Sequence, residues 1–153
     1  QMTGWRLGWL IAPESHIEQV EKLAMNVFLA APTPAQHAAL AAFEPATLEI
    51  LEARRQEMQR RRDFLLPTLR QIGLQVPAEP DGAFYIYADC SAVCADSREF
   101  ARNLLLQAHV AVTPGLDFGS NQPQRYIRIA YTADLQRLQQ AVERIRTFIA
   151  SYC

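Results

Sequence analysis

Two arginines in this sequence have neighbours that suit the binding of an anion. Arg6 lies two residues from a glycine on each side, so on a strand no other side chain would crowd its face. Arg128 lies between two isoleucines in a strand-like run, where burial of a guanidinium without an anionic partner would be costly. The guanidinium N–H groups form a planar fork that matches phosphate or carboxylate. From this pattern alone, a solvent-facing arginine is the more ordinary interpretation of Arg6, whereas for Arg128 the two interpretations are equally compatible with the sequence.

The other residue types that carry out chemistry form no catalytic or metal-binding pattern. The histidines are scattered, and the spacing of Cys90 and Cys94 without a nearby histidine is not that of a zinc site. The odd number of cysteines argues against a disulfide framework and favours a reducing cytoplasm. The single lysine, Lys22, lies in a charged stretch typical of a solvated helix face, which does not suit a Schiff-base lysine. The histidines are His16, His37 and His109, and the third cysteine is Cys153.

The composition indicates a globular domain. The chain has 153 residues, of which 50% are hydrophobic and 20% are charged, and its formal net charge is −1. A chain of this length can bury a substantial core. The near-neutral charge gives no sign of a nucleic-acid partner, and no apolar run approaches the ~20 residues that span a membrane. We therefore expect neither nucleic acid nor a membrane as a partner.

The elements that would position the two arginines follow from the spacing of hydrophobic residues. In the first half of the chain, a strand is predicted at residues 6–12, and helices are predicted at 14–29, 35–43 and 47–71. Prolines mark the breaks between these helices. Pro67 is expected to kink or interrupt the last helix, and Gly73 is suited to end it.

In the second half, alternation with a period of two becomes frequent. Strands are predicted at 74–76, 83–89, 110–112 and 126–131, and helices at 97–108 and 133–151. Short strands that alternate with helices predict an α/β fold, layered as in α+β proteins, in which helices cover a small mixed sheet. The one plausible domain boundary lies near Pro45.

Four short motifs follow one another along the chain. They are MTGWRLG at residues 2–8, DGAFY at 81–85, TPGLDFG at 113–119 and RYIRIAY at 125–131. Together they resemble the class I and II aminotransferases, the aspartate aminotransferase family of fold-type I pyridoxal-phosphate enzymes. Each motif alone is weak, but the four occur in the order and at the spacing of the family across essentially the whole chain.

The resemblance implies a division of the chain and a role for each arginine. Residues 1–45 would be the end of the large cofactor-binding domain, and residues 46–153 would be the interdomain helix and the C-terminal small domain. Arg6 matches the arginine that binds the phosphate of pyridoxal 5'-phosphate. Arg128 matches the arginine that binds the α-carboxylate of the substrate, whereas Arg125 lies before the strand core and matches no family position.

The resemblance further implies a transfer of an amino group between an amino acid and a 2-oxo acid. In the family the cofactor-binding lysine precedes the MTGWRxG motif, so it would lie upstream of Gln1. We therefore expect no catalytic residue in this C-terminal portion, which would be inactive alone, and a cytoplasmic homodimer for the intact protein. An amino-acid lyase or synthase of the same family, a ligand-sensing domain of a transcription regulator and a non-catalytic subunit remain open, and the sequence does not specify the donor or the acceptor.

Overall fold

The computed structural model describes residues 2–152, which fall into two compact units. One unit ends at Arg54 and the other begins at Arg55, within one long helix. The expected boundary near Pro45 lies at the start of that helix. The assignment of the two parts of the chain to a large and a small domain stays a prediction.

The first unit contains two helices joined by irregular chain. After a short 3-10 turn at Thr3–Trp5, α1 spans Glu14–Val27 and α2 spans Thr33–Ala41. A proline precedes each helix, at Pro13 and Pro32, in an extended conformation that does not continue the helix backwards. The structure confirms both predicted helices. The C-terminal end of α1 and both ends of α2 differ from the prediction by two residues.

The predicted strand at residues 6–12 is wrong. The Trp5 N–H donates to the Met2 carbonyl oxygen at 3.0 Å and closes a turn, after which Arg6 adopts the left-handed conformation with φ 54°. Residues 6–12 pair with no strand among residues 2–152. Alternating apolar residues suggested a strand, but a strand also needs a partner for its backbone N–H and C=O groups. Arg6 therefore does not lie on an extended strand between its flanking glycines.

The long helix α3 spans Pro45–Gln71. Pro67 lies inside it, and the helix continues past this proline, so the predicted interruption does not occur. Gly73 follows at φ +94°, in the left-handed region that glycine enters without a steric penalty, which confirms its role at the end of the helix. The buried side chains of α3 are Leu65, Leu66 and Leu69.

The second unit contains a three-stranded sheet. Strand β1 spans Tyr85–Asp89, β2 spans Thr113–Pro114 and β3 spans Tyr126–Ala130, and their order in the sheet is β1-β3-β2. Both pairings are antiparallel, whereas a mixed sheet was expected. The register places Tyr87 and Thr113 on either side of Arg128.

Two of the predicted strands differ from the observed ones. Residues 74–76 contribute only one isolated bridge, between Gln75 and Asp89. The strand predicted at 110–112 is wrong by a few residues, because pairing begins at Thr113. A run of three apolar residues is too short to fix the position at which two strands pair.

Helices lie against one face of the sheet and form the hydrophobic core with it. Helix α4 spans Ser97–Asn103 and continues as a π-helical turn, Leu104–Ala108, and α5 spans Leu135–Tyr152. This arrangement confirms the layered α/β fold. The core side chains of the sheet are Ile86, Ala88, Ile127 and Ile129, and those of the helices include Leu69, Phe100, Leu104, Leu138, Val142, Ile145 and Phe148.

Candidate functional site

Arg128 occupies the middle of the sheet on the face opposite the core. Its neighbours in β3, Ile127 and Ile129, point into the core, so alternation directs the guanidinium to the other face. The side chain is half-buried, and its Nη2 donates to Thr113 Oγ1 over 3.4 Å. This bond is long for an N–H···O bond, so Thr113 alone holds the guanidinium only weakly.

Aromatic rings surround the guanidinium of Arg128. Its Cζ lies 4.4 Å from the centroid of the Phe118 ring and 5.3 Å from that of the Tyr85 ring. Both distances are within the range of cation–π attraction. No acidic side chain among residues 2–152 forms an ion pair with Arg128. The fork of this arginine is therefore available for an external carboxylate or phosphate.

A second layer of aromatic contacts supports Phe118. The Tyr87 ring meets the Phe118 ring edge-on at 6.2 Å and stacks on the Tyr126 ring at 4.9 Å. Burial is the main cause of a raised pKa for the Tyr87 hydroxyl, so this phenol stays neutral at physiological pH. Gly115 lies so close to the Tyr87 hydroxyl and to the Pro123 carbonyl oxygen that no Cβ fits there without a shift.

These residues line a cavity of about 600 Å³. Arg128 supplies its cationic group, and Tyr85, Phe118 and Tyr126 supply much of its apolar wall. Ser120 and other polar residues of the loop after β2 contribute hydrogen-bonding groups. The size and the single cation suit a small organic anion that also presents apolar surface.

Tyr131 supports the turn that leads into β1, a role that the sequence did not reveal. Its buried hydroxyl donates to the carbonyl oxygens of Gly82 and Ala83, each at 3.3 Å, and its N–H donates to the Phe84 carbonyl oxygen at 2.8 Å. Ala83 has a positive φ of 61°, which is unfavourable for alanine, so the turn depends on such contacts. The conformation of this turn sets where Tyr85 begins the strand.

Arg125 is engaged elsewhere, which agrees with its lack of a family counterpart. Its Nη2 lies 2.6 Å from Asp89 Oδ2, and Asp89 Oδ1 accepts the Ser91 N–H at 2.8 Å. Burial of the Asp89 carboxyl raises its pKa, but the hydrogen bonds from Ser91 and Arg125 together outweigh burial and lower the pKa overall. This pair joins the end of β1 to the start of β3.

The cysteines lie outside the cavity. Cys90 is buried and donates its S–H to the Arg125 carbonyl oxygen at 3.2 Å, and Cys94 donates to the Cys90 carbonyl oxygen at 3.4 Å. Neither forms a disulfide, and Cys153 lies outside the described residues. Across residues 2–152 no three His, Cys, Asp or Glu side chains are grouped as a metal site would require. No helix within the same residues is long and apolar enough to cross a membrane.

Arg6 belongs to the first unit, whereas Arg128 belongs to the second. The Arg6 side chain is exposed, and its Nη1 donates to the Thr3 carbonyl oxygen over 3.4 Å, a weak local contact. Lys22 is also in the first unit and is exposed on the surface of α1. Both arginines predicted to bind an anion thus reach the surface, Arg6 in the first unit and Arg128 in the second.

Comparison with known proteins identifies the family. The family described as aminotransferase class I and II matches residues 1–145 of the chain. The chain belongs to the class I and II aminotransferases. A (5-formylfuran-3-yl)methyl phosphate transaminase of Methanocaldococcus jannaschii is 40% identical over 148 residues, which are 97% of this chain and 39% of the relative. A valine–pyruvate aminotransferase of Mycobacterium tuberculosis is 36% identical over 150 residues, 98% of this chain and 39% of the relative.

Solved structures of aminotransferases contain the same fold. An aminotransferase from Mycobacterium tuberculosis superimposes with a TM-score of 0.89 at 36% identity and covers 98% of this chain and 39% of its own. An aromatic aminotransferase from Pyrococcus horikoshii gives 0.85 at 35% identity, with 98% of this chain and 40% of its own covered. The chain thus spans about 39% of the length of such relatives, in agreement with a C-terminal portion of the family.

The class I and II aminotransferases use pyridoxal phosphate. Residues 2–152 contain one candidate contact for its phosphate and no buried lysine for its aldehyde. Arg6 offers an exposed guanidinium to a phosphate. A Schiff-base lysine needs burial or a cationic neighbour to lose its proton, and Lys22 is exposed. The residues present therefore do not form a complete cofactor site, and Arg6 is the candidate contact among them.

Proposed function

We propose that this chain is the C-terminal portion of a pyridoxal-phosphate-dependent aminotransferase that transfers an amino group between an amino acid and a 2-oxo acid. The observation that carries the proposal is the half-buried guanidinium of Arg128, which has no acidic partner within residues 2–152 and lines an aromatic cavity. The aminotransferase names of the relatives support amino acids and 2-oxo acids as the substrate class.

Arg128 is proposed to bind the α-carboxylate that both substrates share. A bidentate guanidinium–carboxylate pair forms two charge-assisted hydrogen bonds, each with a net value of about 1.5–3 kcal/mol. The rings of Tyr85 and Phe118 lie beside the guanidinium and cover part of it, and partial removal from water strengthens the attraction between the charges. Arg128 would thus fix the orientation of the substrate.

Arg6 is proposed to bind the cofactor phosphate in the intact protein. Its fork is exposed and, within residues 2–152, has the 3.4 Å contact with the Thr3 carbonyl oxygen to exchange for a phosphate oxygen. Pyridoxal phosphate, when bound, supplies the electron sink for amino-group transfer. We further propose that the Schiff-base lysine comes from a part of the protein outside this chain, that the chain alone is inactive, and that the intact protein is a cytoplasmic homodimer.

The test compares Arg128→Lys with Arg137→Lys in the intact protein that contains this chain. Arg137 is exposed and pairs with the nearby Asp134 at 3.6 Å, so its replacement is a matched control. We expect amino transfer from amino acids to 2-oxoglutarate, and a KM for the amino acid that Arg128→Lys raises roughly 10- to 100-fold, as loss of one charge-assisted hydrogen bond implies. Consumption of the amino acid without any keto-acid exchange would contradict the aminotransferase assignment.

The chain alone provides a second test. Addition of one equivalent of pyridoxal phosphate to the 153-residue chain should give no stable aldimine absorbance band, because Lys22 is exposed and lacks the burial that activates a Schiff-base lysine. Amino transfer by the isolated chain, or a stable aldimine band at one equivalent that is lost in Lys22→Arg, would contradict the proposed origin of the catalytic lysine.

A further inference from the structure

We infer that Phe118 is a positioning residue for Arg128. Its ring, together with the ring of Tyr85, holds the guanidinium in place, a role that an acidic side chain could otherwise perform. The inference deepens the proposed function of the same site, and its link to carboxylate binding rests on that function. Its first observation is that the Arg128 Cζ lies closer to the Phe118 centroid, at 4.4 Å, than to that of Tyr85, at 5.3 Å.

The type of group that contacts the Arg128 guanidinium determines how many of its N–H donors remain free for a ligand. An aspartate or glutamate beside Arg128 would accept hydrogen bonds from the fork and cancel its charge, so it would compete with a substrate carboxylate. A ring face attracts the cation through its quadrupole and accepts none of the fork's in-plane N–H groups. Support by Phe118 and Tyr85 therefore steadies the guanidinium and leaves its donors available.

The other contacts of Arg128 are too weak to do this alone. Its hydrogen bond to Thr113 Oγ1 is 3.4 Å long. A long, flexible arginine side chain loses considerable rotamer freedom when it is held in one position. Without further support, binding of a carboxylate would have to restrict the Arg128 side chain, and this loss of conformational entropy would lower the affinity for the carboxylate.

Phe118 is itself held in place by the aromatic layer beneath it. Tyr87, which is paired in register with Arg128, contacts the Phe118 ring edge-on at 6.2 Å. The same Tyr87 stacks on Tyr126 at 4.9 Å, and its hydroxyl packs against Gly115 in the loop that leads to Phe118. The sheet thus supplies contacts that hold the Phe118 ring beside Arg128.

Two substitutions separate positioning from simple filling of the cavity. Phe118→Leu keeps an apolar side chain of moderate size and removes the ring face. Phe118→Tyr keeps the ring face and should restore what leucine loses, because Phe118 is 44% exposed and leaves room for a hydroxyl. A purely space-filling role would make leucine and tyrosine similar in effect on Arg128.

The first measurement needs no ligand. In the ¹⁵N-labelled 153-residue chain, the Arg128 Nε–Hε signal is assigned by its loss in Arg128→Lys. We expect this signal and the Arg128 side-chain protons to be shifted by the ring current of Phe118 in the wild type and in Phe118→Tyr. In Phe118→Leu they should move toward ordinary arginine positions and keep only the smaller shift from the more distant Tyr85 ring. Unchanged Arg128 shifts in Phe118→Leu would overturn the inference.

The second measurement adds acetate and pyruvate as carboxylate probes to the same samples. We expect both to shift the Arg128 signal, with an affinity that is roughly 3- to 30-fold weaker in Phe118→Leu and restored to within about twofold in Phe118→Tyr. Equal affinity in the leucine variant would overturn the positioning role. If neither probe shifts Arg128 in the wild type, the proposed carboxylate site fails, and the ligand-free measurement still decides whether Phe118 holds the guanidinium.

Discussion

Replacement of Gly115 by alanine would force apart the layer that supports the arginine site. A Cβ at this position would lie 2.7 Å from the Tyr87 hydroxyl and 2.9 Å from the Tyr126 carbonyl oxygen, and it would be closer still to the Pro123 carbonyl oxygen. These contacts are well inside the ~3.5 Å at which nonbonded heavy atoms are comfortable. Two of them involve backbone, so side-chain rotation cannot relieve them, and the loop must shift by roughly 0.5–1 Å.

The cost follows from what must move. Overpacking by one methyl group typically destabilises a protein by about 1–3 kcal/mol. We expect the upper part of that range for Gly115→Ala, about 2–3 kcal/mol, since the two closest backbone oxygens belong to the segment that leads into β3. In a unit of roughly 100 residues this corresponds to a fall in Tm of roughly 10–20 °C. Displacement of Tyr87 would also move Phe118 away from Arg128.

Urea unfolding followed by far-UV circular dichroism gives the free energy of unfolding of each variant. Gly82→Ala is the matched control, because a Cβ on Gly82 meets nothing within 4 Å. We expect that control to remain within about 0.5 kcal/mol of the wild type. If Gly115→Ala unfolds with the same free energy as Gly82→Ala and keeps the Arg128 ring-current shifts, the reasoning about this loop is refuted.

Two further predictions concern the ends of β1. Asp89 has a pKa below its usual value in the folded chain, so its ionised form stabilises the fold above the unfolded pKa of about 3.9, and this stabilisation is lost as the pH falls through the lower folded pKa. Asp89→Asn should therefore lower the free energy of unfolding by about 1–3 kcal/mol near pH 7. This value is below that of a fully buried ion pair, because Arg125 is 42% exposed and solvent screens the pair. The difference from the wild type should shrink below about pH 4. Tyr131→Phe removes the donor to the Gly82 and Ala83 carbonyl oxygens. It should lower the free energy of unfolding in urea by about 1 kcal/mol and shift the NMR signals of Tyr85 slightly.

Each of these has a control in the same unit. Asp81→Asn removes an exposed carboxylate of the turn before β1 and should leave the pH dependence of stability close to that of the wild type. A difference between wild type and Asp89→Asn that stays constant from pH 7 to pH 3 would contradict the assigned role of the carboxylate. Tyr85→Phe is the control for Tyr131→Phe, because it also removes a tyrosine hydroxyl but keeps the ring beside Arg128. A loss of stability in Tyr131→Phe that is absent in Tyr85→Phe is then due to the hydrogen bonds of Tyr131.

Helical spacing and strand alternation were sufficient to predict most elements of this fold. The apolar residues of α5 recur every three or four positions, and the helix lies where this spacing places it. Strand alternation in RYIRIAY separates Arg128 from Ile127 and Ile129, and the structure has these isoleucines in the core and Arg128 on the other face. These predictions succeeded because each depends on residues close together in the sequence.

The failures involve contacts between distant residues. Alternation at residues 6–12 resembles that of a strand, but no neighbouring strand pairs with it in the described chain. The aromatic support of Arg128 depends on Phe118, ten residues away in a loop, and on Tyr87 in another strand. The motif TPGLDFG contains Phe118, but the contact of this ring with Arg128 depends on how the strands pair.

The division of the chain at Arg54 and Arg55 also separates its two kinds of fluorescent side chain. Both tryptophans, Trp5 and Trp9, precede the division, and the five tyrosines all follow it, from Tyr85 onwards. Excitation at the red edge of tryptophan absorption therefore reports on the first unit alone, whereas every tyrosine belongs to the second unit. Tryptophan emission from the unmodified chain thus follows unfolding of the first unit, and its comparison with far-UV circular dichroism, which both units contribute to, shows whether the two units unfold together.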